Sequence, residues 1–122
     1  MFTYDDVRQC LETIVEELPD RVNPTDGEYG SCVYTDPQNP EMHCIAGEVA
    51  VRLGLPLPDV NDPANWEATV ITLCKERDEL NKHGGLWYGL LDAGAISLLG
   101  EAQFSADYKH PWKVAYELAM TE

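Results

Sequence analysis

Positive charge is what this sequence has least of. Only 8 Lys and Arg stand against 22 Asp and Glu, which leaves a net charge of −14 at neutral pH. A surface of that sign repels nucleic-acid phosphates and anionic lipid headgroups, so direct DNA or RNA binding is not expected. Long apolar runs are missing as well. Nothing approaches the roughly 18–20 residues that cross a bilayer, which argues against membrane insertion. The opening "MFTYDDVRQC" is acidic and polar, unlike a secretory leader, and the expected location is the cytoplasm. There is no P-loop, no G-x-G-x-x-G and no G-x-S-x-G elbow. The acidic stretch "DGEYGSCVYTD" lacks the ligand order of a calcium loop. Cysteines stand at 10, 32, 44 and 74, with no C-x-x-C pair and no zinc-finger spacing. Neither a metal nor a cofactor is expected, and a cytoplasmic chain keeps its thiols reduced.

The acidity is uneven. Residues 1–62 carry 13 acids and 3 bases, whereas residues 63–122 carry 9 and 5. Such a charge keeps a small protein soluble. It also suits contact with a basic partner protein. Carboxylates in two rows at phosphate-like spacing would make a DNA mimic instead.

What the sequence does have is helical periodicity. A length of 122 residues with 44% hydrophobic content suits one domain, residues 1–122, with a real core. Residues 3–18 place Val7, Cys10, Leu11, Ile14, Val15 and Leu18 on one face. Thr3 is the expected N-cap, Asp5 and Asp6 suit the positive helix end, and Pro19 stops the helix. Residues 19–41 are rich in Pro, Gly, Asn and Asp and predict a long loop, with "SCVYT" as half of a small hairpin within 30–45. A second helix over 43–53 carries Ile45, Ala46, Val49, Ala50 and Leu53, and Gly54 fits the left-handed position beyond its end. A third is predicted over 64–82, with Trp66, Val70, Leu73, Cys74, Arg77 and Leu80 as its stripe, ended by "KHGGLWYG". A fourth, over 92–106, carries Ile96, Leu98, Leu99, Ala102 and Ala106. A last short helix begins at Pro111 and carries Trp112, Ala115, Tyr116 and Leu118. The expected fold is therefore mainly α, a compact bundle of four to five helices with at most a small β-hairpin. The first helix is expected to pack on the second and third, burying Val7, Leu11, Ile14, Ile45, Val49, Leu53, Val70 and Leu73.

Three groups of residues invite a chemical reading. His43 and Cys44 stand at the mouth of the second helix, where the helix dipole favours a thiolate. The segment "HCIAGEVAVRLGLPLP" loosely resembles the nucleophile helix of NlpC/P60-type and papain-like peptidases, with His83 of "HGGLWYG" as the base of such a cysteine hydrolase. Against that, neighbouring residues on a helix do not face each other, so His43 is poorly placed for Cys44. The segment before His83 also reads as helix where that peptidase core needs strands. The preferred reading is that Cys44 is a core residue at a helix entrance, and likewise Cys10 and Cys74 are small core residues. His110 reads as a cap or surface residue. Aromatic residues form the second group: Trp87 and Tyr88 in a Gly-flanked loop, and Tyr29 and Tyr34 in the acidic loop, are either a plug between helices or a recognition surface. The third group is the acidic set Glu16, Glu17 and Asp20 at the end of the first helix.

Taken in order, "CVY", then "CIAGEVAVRLG", then "AQFSAD" followed by "PWKVA", resemble a group of small acidic proteins of actinobacteriophages, mycobacteriophages especially, and of actinobacteria. Their pattern is C-[IL]-[VA]-G-x-[AV]-x-x-R-L-G followed by A-Q-x-x-Q-D and W-x-x-A. Cys44, Ile45, Gly47, Val49, Arg52, Leu53 and Gly54 match its first part, and Ala102, Gln103, Asp107, Trp112 and Ala115 its last. The likeness spans about residues 29–119 and carries over no catalytic residue. It implies an accessory protein without enzymatic activity that binds a host bacterial protein in the host cytoplasm. Tyr29, Tyr34, Trp87, Tyr88, Glu16, Glu17 and Asp20 are the contact residues this reading predicts.

Overall fold

The computed structural model describes residues 1–23, 43–59 and 68–121. Over these residues the protein is mainly helical. Its elements are α1 (Tyr4–Glu17), α2 (Ile45–Leu53), α3 (Val70–Leu73), α4 (Ala93–Asp107) and α5 (Trp112–Met120). Among the described residues there is no strand. A parallel bridge joins Phe2 to Leu91, so that the segment before α1 is held beside the start of α4. The expected hairpin falls almost wholly outside the described residues.

α1 forms where its periodicity places it. The Thr3 hydroxyl accepts from Asp6 N, and the Asp6 carboxylate accepts from Thr3 N, a reciprocal cap that satisfies two helix-end donors. Val7, Leu11 and Ile14 are buried, with Cys10, Val15 and Leu18 half-buried beside them. α2 ends at Gly54, whose φ of 78° is left-handed as predicted and would strain any residue with a Cβ.

α4 is the hub. It packs against each of the other four helices, burying Ala95, Leu98, Leu99, Ala102, Gln103 and Ala106. α1 lies on α2 as expected, and also on α4 and α5. α3 packs instead on α4, since a single turn offers only Val70 and Leu73 to the core. Leu53 is half-buried rather than buried. Leu118 of α5 is exposed, and Ala119 takes its expected place inside.

The third helix departs most from expectation. Of the predicted span, residues 64–67 lie outside the described residues, and the rest is helical only over Val70–Leu73. Thr69 caps this turn by accepting from Thr72 N. The chain then leaves the helix at Cys74 because side chains outcompete the helical ladder. Asp78 Oδ1 accepts from the backbone N–H of Leu80 and Asn81 at 2.8 and 2.7 Å. Asn81 Nδ2 donates to the Thr72 carbonyl at 3.0 Å, an acceptor at the helix end that Lys75 N also reaches at 3.3 Å. Gly84 packs into the same turn, where a Cβ would come within 2.9 Å of the Lys75 carbonyl oxygen. Leu80, expected on the apolar stripe, is 99% exposed as a result.

Candidate functional site

Cys44 is the residue on which the chemical readings divide, and its surroundings are built from four parts of the chain. It is the N-cap of α2, with extended backbone, and is completely buried. Its Sγ accepts from Gly47 N at 3.4 Å, and its carbonyl accepts from Glu48 N at 2.8 Å. The two remaining donors of the first turn are answered from afar. Ile45 N donates to Asn23 Oδ1 at 2.8 Å, and Ala46 N donates to Gln103 Oε1 at 3.0 Å. The backbone N–H groups of Ile45, Ala46 and Gly47, three of the four that an α-helix leaves orphaned at its start, are thus satisfied inside the protein.

The acceptors are themselves fixed. Asn23 is buried; its Oδ1 also accepts from Trp112 Nε1 at 2.8 Å, and its Nδ2 donates to Asp107 Oδ1 at 3.1 Å. Gln103 Nε2 donates to the same Asp107 oxygen at 3.1 Å. The start of α5 is locked in turn by the chain around residue 20. Trp112 N donates to the Arg21 carbonyl at 2.7 Å, Lys113 N donates to that of Pro19 at 3.1 Å, and the Arg21 guanidinium lies 5.6 Å from the Trp112 ring centre. Cys44, Gln103, Asp107 and Trp112, drawn from both halves of the sequence pattern, converge on one polar knot. Asn23 ties them together and belongs to neither half. An Asn in a Pro- and Asp-rich stretch reads as turn punctuation, so no sequence signal marked it.

His83 does not join this knot. It lies in the turn between α3 and α4, and its buried Nδ1 has no hydrogen-bond partner, Cys44 included. His43, buried next to Cys44, precedes the helix. The thiols of Cys10 and Cys74 are both pushed up to about 11: burial raises each, and for Cys10 Arg52 pulls weakly the other way. Neither is a thiolate near neutral pH. Cys32 lies outside the described residues. Among the described residues no group of three or more His, Cys, Asp or Glu is placed to hold a metal ion.

The proposed contact residues separate. Trp87, expected at a contact surface, is instead completely buried: its indole Nε1 donates to the Pro56 carbonyl at 2.7 Å, and it belongs to the core. A large apolar ring with one satisfied polar atom is stable inside, which is the plug reading of "LWYG". Tyr88, beside it, is 58% exposed. Glu16 and Asp20 are exposed. Glu17 is exposed as well but binds Arg52, which Glu48 holds from within α2 at 3.2 Å. Tyr29 and Tyr34 lie outside the described residues. No helix among the described residues is long and apolar enough to cross a membrane.

A groove runs between α3 and α4. Val70, Ile71, Ile96 and Phe104 line it together with the polar Ser97 and Glu101, and its volume is about 670 Å³. The Phe104 ring meets Tyr108 edge-on at 5.1 Å. Periodicity does not mark it, because Ile96 falls on the core stripe and Phe104 on no stripe at all.

Compared with protein-family models, with curated proteins and with solved structures, the chain matches none.

Proposed function

We propose that this protein has no catalytic activity of its own and works by binding another protein, as a phage accessory factor acting on a host bacterial protein in the host cytoplasm. The observation that carries this reading is the placement of Cys44. A thiol nucleophile needs an accessible sulfur and a base within reach. Cys44 Sγ is sealed from solvent and engaged as a helix cap, and the buried Nδ1 of the histidine nominated as its base makes no hydrogen bond to it. The thiol serves the fold. What remains for function is surface: a net charge of −14, with Glu16, Asp20 and Tyr88 exposed.

Charge of this sign favours a basic partner and speeds its approach, an effect that salt screens. The test is affinity capture from mycobacterial lysate. A stoichiometric partner retained at low salt and shed at high salt is the expected result, with capture weakened by the double substitution Glu16→Lys and Asp20→Lys. Recovery of no stoichiometric partner at low salt would sink the reading.

A further inference from the structure

We draw no further inference here: the strongest candidate, the partly apolar groove between α3 and α4 with Ile71 and Phe104 exposed along it, carries nothing because nothing in the structure shows what covers it.

Discussion

Asn23 Oδ1 and Trp112 Nε1 are joined by a 2.8 Å hydrogen bond across 89 positions of sequence. The same oxygen accepts from Ile45 N, so one buried amide holds the starts of α2 and α5 together. Asn23→Ala removes the acceptor and leaves two buried donors without partners. At about 1–3 kcal/mol for each orphaned group, the expected loss of stability is about 2–4 kcal/mol, read by urea denaturation. A loss below about 1 kcal/mol would mean that water reaches both donors.

The burial of Cys44 predicts its chemistry in solution. Iodoacetamide at neutral pH, followed by peptide mapping, should leave Cys44 unmodified in the native protein and modify it on unfolding. Cys10 and Cys74 should react slowly until the pH nears 11, where their raised pKa values lie. Rapid labelling of Cys44 under native conditions would contradict the packed cap. Cys44→Ala should cost about 1–2 kcal/mol through the unfilled space and the unanswered Gly47 N–H.

Glu12, Tyr116 and Arg8 form a small network that predicts two pH limits. Tyr116 OH donates to Glu12 Oε1 at 2.8 Å, and Arg8 reaches the same oxygen at 2.8 Å. The Tyr116 hydrogen bond first, then Arg8, hold the Glu12 carboxyl below its ordinary value of 4.5. A lowered folded-state value means that this contribution is present above that ordinary value and is lost as the pH falls through the lowered one. Tyr116 is shifted the other way, up to about 12, by burial and then by the Glu12 hydrogen bond. Its contribution is full below pH 10 and is lost as the pH rises through about 12. Tyr116→Phe should flatten both limbs of the stability–pH curve, measured by denaturation from acid to alkaline pH. Unchanged limbs would remove the network from the account.

Substitutions at Leu80 and Gly100 test the turn after α3 and the interior of α4. Leu80→Asp should change stability by less than about 0.5 kcal/mol, because the side chain touches solvent, whereas on a buried stripe it would be severely destabilising. Gly100→Ala should stabilise the chain by about 0.5–1 kcal/mol, since the new Cβ meets open space in a helix interior. Both are read from denaturation midpoints.

These cases show which parts of the structure were legible in the residues. α1, α2, α4 and α5 were, because apolar spacing and end signals such as Thr3, Gly54 and Pro111 agree. The segment around Leu80 was not. Its apolar residues recur at helical spacing, but Asp78 and Asn81 hydrogen-bond the backbone locally and break the ladder, a competition that periodicity does not register. The burial of Cys44 followed from its place at the mouth of an apolar helix. Its companions did not follow, since Asn23 and Gln103 come from distant segments and carry no pattern of their own. Trp87 had two readings open, and burial of its ring against the Pro56 carbonyl decided between them.

The borrowed caps of α2 impose an order on how the chain matures. The acceptor for Ile45 N, Asn23, is made before the helix, but Ala46 N waits for Gln103, 57 positions downstream. While the polypeptide is emerging from the ribosome, α2 therefore begins life with an incomplete end, and it settles only once the later part of α4 has been made and folds back upon it. A stalled or truncated nascent chain ending before Gln103 would hold α1 and α2 side by side without the piece that seals them.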